Sequence, residues 1–156
     1  MVETHLSQRS IDRLKAKIRE LTPRTWGQSL ATCMGEVSTY FRGWTSHFRL
    51  LSVEGAQQLR WFDAHVRRRI RAIIIRQKKA ERFLFRHLIS RGVSHRAATA
   101  TAYRSGRGPW YRSHTPGIER AYPNAWFHER MALLEWEWSR LQPQRPASGE
   151  QLTLFD

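Results

Sequence analysis

Arginine and the large aromatics are the residues of this sequence best equipped for chemistry. Of 27 basic side chains, only Lys15, Lys17, Lys78 and Lys79 are lysines; the other 23 are arginines. A guanidinium offers phosphate a planar fork of donors and stacks on flat rings, which an ammonium does not. Against 13 acidic residues the formal net charge is +14. Such an excess points to a polyanionic partner. It is also unevenly placed: residues 61–96 carry a net +9 and residues 121–156 a net −2.

Four groups of cations, two of them joined by a tryptophan, are the candidate contacts to nucleic acid. Arg60, Arg67, Arg71 and Lys78 recur at helical spacing and form one flank of a long helix. Trp61, Arg68 and Lys79 lie opposite the apolar stripe of the same helix. Arg42 and Arg49 stand a heptad apart on the preceding one. Arg104, Arg107, Trp110 and Arg112 cluster in the Gly/Pro-rich stretch RSGRGPWYRSHTPG. Cations supply phosphate contacts, and an indole supplies a surface on which a base stacks.

Catalytic patterns are missing. There is no phosphate-loop motif and no HExxH pair, and the seven histidines show no metal-ligand spacing. Asp63 is the only Asp between Asp12 and Asp156. A polymerase or nuclease needs clustered carboxylates for its metal ions, so no catalytic residue, metal or cofactor is expected. The single cysteine, Cys33, falls on an apolar stripe and reads as a small buried hydrophobe. No apolar run approaches the ~18 residues of a membrane span. The opening MVETHLSQRS has no apolar leader. A cytoplasmic protein is the expectation.

The elements that must position these residues are all helical. Ile11, Leu14, Ile18 and Leu21 predict a helix over 10–21. Ser29 caps a second, over 29–50, with Leu30, Cys33, Met34, Val37, Tyr40, Phe41, Trp44 and Phe48 on one arc. Ser52 caps a third, over 53–79, buried along Leu59, Phe62, Val66, Ile70, Ile73 and Ile74. Shorter helices follow over 81–90, from Ser94 to about 103, and from Pro116. Residues 104–117 read as a loop, and Asn124 as the cap of a last helix to 141 anchored by Trp126, Leu133, Leu134 and Trp138. No strand pattern appears, so the class is all-α. The expected organisation is a flexible start (1–8), a helical domain (9–80), a basic helical extension (81–141) and a flexible tail (142–156).

Three segments carry a family resemblance: IDRLKAKIRELTPRTWGQSL, then YFRGWTSHF, then WFDAHVRRRIRAIIIRQKKA. Their order and spacing resemble the maturase-specific (X, or thumb) domain of bacterial group II intron-encoded proteins. The likeness runs on through GRGPWYRSHTPGIERAYPNAWF and covers roughly residues 9–135. Val37-Ser38-Thr39 stand where the family usually has an Asn-Pro-like pair. The Tyr-x-Asp-Asp motif of the family's reverse transcriptase is absent. The resemblance implies a small thumb-like helical bundle that grips group II intron RNA and assists its folding and splicing, without catalysis of its own. It also implies an alternative: the thumb subunit, or a truncated remnant, of a reverse transcriptase whose other part is separately encoded. Within the triplet Arg42-Gly43-Trp44, Gly43 is the residue expected to admit a close backbone approach.

The tail Gln151-Leu152-Thr153-Leu154-Phe155-Asp156 resembles the short peptide with which bacterial replication proteins dock on the sliding clamp. Gln151, Leu152, Leu154 and Phe155 are its anchors, which makes the clamp a further candidate partner.

Overall fold

The computed structural model describes residues 4–24, 27–104 and 106–143. Within them the chain is helical throughout, with no strand. The first three helices are α1 (Gln8–Leu21), α2 (Leu30–His47) and α3 (Val53–Gln77). Each begins at a serine whose hydroxyl accepts an orphan backbone N–H: Ser7 from Ser10, Ser29 from Thr32, Ser52 from Gly55. α4 (Glu81–Ser90), α5 (His95–Thr99), a π-helical turn (Ala100–Arg104), α6 (Pro109–Arg112), α7 (Pro116–Ala121), α8 (Asn124–Arg130) and α9 (Leu134–Leu141) complete the chain. Ser94 caps α5 in the same way.

One apolar core joins every one of these helices except α6. Leu14 and Ile18 of α1, Val37 and Phe41 of α2, and Leu59, Phe62, Val66 and Ile70 of α3 meet Leu84, Leu88, Ile118, Phe127, Leu133 and Leu134 from the later helices. Residues 81–141 therefore share the core of residues 9–80, and α9 returns to lie against both α2 and α3. Cys33 is fully buried and its thiol is pushed up to about 11, chiefly by burial, as befits a core residue.

Three expectations from sequence are corrected. The second helix ends at His47, with Phe48 as its cap, so Arg49 is off the helix and does not extend a flank from Arg42. The stretch 104–117 is not all loop: Pro109, at the first helical position, opens the single turn α6. The last helix is two helices. The chain extends at Met131–Leu133 because its backbone N–H groups find partners outside the helix. Ser38 Oγ accepts from Ala132 at 3.0 Å, and the Asp63 carboxylate accepts from Leu134 at 2.8 Å and Glu135 at 3.0 Å. Asp63, on α3, thus caps α9 from across the bundle.

That cap titrates. Burial pushes the Asp63 carboxyl up to about 6, outweighing the two backbone donors and the nearby Arg67 that favour its charge. The folded chain then holds a proton that the unfolded chain has released between pH 4 and 6. Stability falls as pH rises through that window, by on the order of 2–3 kcal/mol, and this contribution is constant above it. From pH 4 to 7 the unfolding free energy of the protein should fall by that amount relative to Asp63→Asn; parallel curves would contradict the assignment.

Gly43 is also corrected. A Cβ built there meets nothing within 4 Å, so among the described residues no backbone approaches it. Trp44 beside it is buried and stacks on Phe48, with ring centroids 4.3 Å apart.

Candidate nucleic-acid interface

α3 carries cations on two sides, and the fold treats the two sides differently. The flank of Arg60, Arg67, Arg71 and Lys78 faces largely toward the C-terminal helices. Arg60 Nε lies 2.6 Å from Glu135 Oε1. Arg67 is half-buried near Asp63 and Glu135. Lys78 caps α3 and is half-buried. Arg71 is buried: its Nε and Nη2 donate to the Tyr122 carbonyl at 3.0 and 2.7 Å, and Nη2 reaches Asn124 Oδ1 at 3.3 Å. Arg91 donates likewise to the Ala121 carbonyl at 3.1 and 2.9 Å. These two arginines satisfy the orphan carbonyls at the end of α7, where a cation is favoured. Arg71 is therefore a largely buried structural cation, although with Arg67 it still lines the cleft beside Trp61 and Trp110.

The outer face of α3 is open and organised. The Trp61 indole, 54% exposed, lies parallel to the His65 ring, with centroids 5.3 Å apart and planes 4° from each other. His65 in turn meets Trp110 edge-on at 5.8 Å. The Arg68 guanidinium sits 3.9 Å over the Trp110 ring, and Lys15 Nζ lies 5.3 Å from the Trp61 ring. Trp110 is held in place by its backbone. Its carbonyl accepts from Arg68 Nη2 at 3.1 Å and from Ser113 Oγ at 2.5 Å, and Arg68 Nε reaches the buried Ser113 Oγ at 3.2 Å. Burial, then Arg69, Arg19, Arg68 and Lys15, push His65 below its ordinary value, so at neutral pH it is an uncharged ring in the stack.

Three clefts follow one another along this face. The first, about 590 Å³, opens between Trp61, His65, Arg67, Arg68, Arg71 and Trp110, with Glu119 also in its lining. The second, about 220 Å³, lies beyond Trp110 and is rimmed by Arg24, Arg69 and Arg76. The third, about 380 Å³, shares Arg24 and Arg76 with the second and reaches Lys79. Arg69 is anchored to Thr22 through Oγ1 and the carbonyl, at 2.6 and 2.7 Å. Arg24, Arg76 and Lys79 are exposed.

Lys79 is the only non-glycine among the described residues with positive φ, at 60°. That left-handed conformation costs a side chain about 1–2 kcal/mol, and glycine adopts it freely. At the mouth of a basic cleft, that cost stands against the charge Lys79 contributes there. Lys79→Gly should raise the unfolding free energy by about 1 kcal/mol while weakening polyanion binding. An unchanged or lowered stability would remove the trade-off.

Trp61, Arg68 and Trp110 are thus brought together, and Lys79 lies apart from them at the third cleft. Arg42 and Arg49 are not among them either: Arg42 lies 3.9 Å from Glu137, and the Arg49 carbonyl accepts from Gln142, both on the α9 side. Arg104 and Arg107 are exposed but line none of the three clefts, and Arg107 sits over Tyr111. Arg112 pairs with Glu81 at 3.0 Å. Gln151, Leu152, Leu154 and Phe155 lie outside the described residues. Sequence reasoning missed Arg24, His65, Arg69 and Arg76. His65 stands four residues after Trp61 and Arg76 three before Lys79, each within one helical turn; that register was their available signal.

Among the described residues, no group of three or more His, Cys, Asp or Glu is placed to hold a metal ion, and no helix is long and apolar enough to cross a membrane. The molecule is an all-α bundle with a basic, aromatic-lined face. Residues 11–92, more than half of the chain, match the group II intron maturase-specific domain, and the chain belongs to that family. The matched stretch holds Trp61, His65, Arg68 and Arg76 and ends before Trp110. No curated protein matches the chain.

Proposed function

We propose that this protein binds group II intron RNA and assists its folding and splicing, with no catalysis of its own. The observation that carries the reading is the outer face of α3, where Trp61, His65, Trp110 and Arg68 stack beside the exposed cations Arg24, Arg76 and Lys79. Folded RNA is recognised through phosphates, 2′-hydroxyls and stacked unpaired bases, which this combination suits. Membership of the maturase-specific family supports intron RNA as the partner. The work would take place in the bacterial cytoplasm. Purified protein added to a group II intron precursor should raise the fraction spliced at low magnesium; no change in splicing together with no retention of the RNA would end the proposal. The same preparation should not extend a primer, and magnesium-dependent incorporation of nucleotides would contradict the non-catalytic assignment.

A second reading, the thumb of a separately encoded reverse transcriptase, is favoured by Leu50 and Val53. They are 79% and 63% exposed at the junction of α2 and α3 and offer apolar contact to a protein partner. Co-purification with that polymerase, lost in Leu50→Glu, would support it. Docking of Gln151, Leu152, Leu154 and Phe155 on the sliding clamp is a separate proposal: a peptide of residues 143–156 should bind the clamp better than its Leu154→Ala, Phe155→Ala version.

A further inference from the structure

We propose that the cleft between α3 and α6, walled by Trp110, captures one extrahelical nucleobase of a bound RNA, with the adjoining phosphates on Arg24 and Arg76. The inference rests on the RNA-binding reading above and assigns the kind of RNA feature that the face selects.

Shape argues first. The cleft holds about 220 Å³ and is concave. A paired helix presents convex rows of phosphates and cannot enter so small a recess, whereas a single unstacked base can. Its chemistry is that of a base site. Ala72, Ile73 and Pro109 give an apolar floor, and the Trp110 indole gives a flat wall. Such surfaces accept the π-face of any base.

The rim then supplies the charge. Arg24 and Arg76 are exposed and stand at the boundary with the third cleft, where a strand leaving the pocket would pass. Arg69 cannot swing freely, because Thr22 holds its Nε and Nη2. It fixes the inner edge of the rim. The outer neighbour on the other side of Trp110 is the Trp61–His65 stack, so bases flanking the captured one have a platform to lie on.

The wall is also formed in advance. Arg68 covers one face of the indole, 3.9 Å from the ring centre, so that a base would stack on the other, and the Trp110 carbonyl is fixed by Arg68 and Ser113. A ring already held in position loses little freedom when a base stacks on it.

The test uses the full chain and three short RNA hairpins: one with a single-nucleotide bulge, one with that bulge made abasic, and one fully paired. The bulged hairpin should bind about 10-fold more tightly than the abasic one, in line with one base stacked on an aromatic. Trp110→Ala should bring that ratio to about one, as should Ala72→Phe, which fills the cleft and leaves the indole in place. Equal binding of bulged and abasic hairpins by the unaltered protein would overturn the capture site while leaving RNA binding intact. Failure to bind any of the three would overturn both. Should the variants not fold, 2-aminopurine placed at the bulge gives the answer with the unaltered chain: its emission should fall on binding, and unchanged emission would overturn the proposal.

Discussion

Replacing Phe41 by alanine lowers the unfolding free energy by about 3–5 kcal/mol. Phe41 is completely buried on α2, in the same core as Val37, Leu59, Phe62 and Leu134. Few positions in the chain bury so large a side chain so fully. The loss combines forfeited transfer energy with the cavity left behind, because helices held by several neighbours collapse only in part. A domain of this size has about 5–15 kcal/mol in total, so the variant would be marginal at best. Trp44, three residues on, keeps 8% exposure and a partner in Phe48, and its loss should cost less. Denaturant unfolding of Phe41→Ala decides the matter: a loss under about 1 kcal/mol would mean that α2 presents a different face to the core.

The double variant Trp61→Ala, Trp110→Ala should bind intron RNA about 30-fold or more weakly. Stacking of a base on an aromatic contributes about 1–3 kcal/mol, and two platforms are removed. Both rings are partly exposed, at 54% and 39%, so the fold should survive. No charge is lost, and the dependence of affinity on salt should therefore keep its slope. Affinity within threefold of the unaltered protein would show that the aromatic ladder is a packing feature only.

Much of the architecture was legible in residues whose local chemistry is strong. Ser29, Ser52 and Ser94 announced helix starts, because a hydroxyl before an apolar-periodic run satisfies an orphan N–H. The α2 and α3 stripes announced which faces are buried. What could not be read was long-range. Asp63 looked like a stray carboxylate on a basic helix, and only the folded chain shows it capping α9, 71 residues away in sequence. The break at Met131–Leu133 has no glycine or proline to mark it; partners on α2 and α3 produce it. Arg71 looked like its neighbours on the flank because helical spacing cannot tell a solvated guanidinium from one that α7 covers. For the same reason the sequence singled out Trp61, Arg68 and Trp110 without revealing that α6 carries Trp110 to the other two.

The outer face of α3 is the proposed RNA face, and the salt dependence of binding tests that most directly. Log affinity against log salt should be compared for the protein, for Arg24→Ala, Arg76→Ala, Lys79→Ala, and for Arg42→Ala, Arg49→Ala, Arg60→Ala. Each neutralised phosphate contributes about 0.7–0.9 to the slope. The first triple variant should flatten it by about 2–3 units, and the second, whose residues lie toward α9, should change it by less than about one. A flattened slope in the second variant with no change in the first would contradict the account and move the interface to the opposite flank.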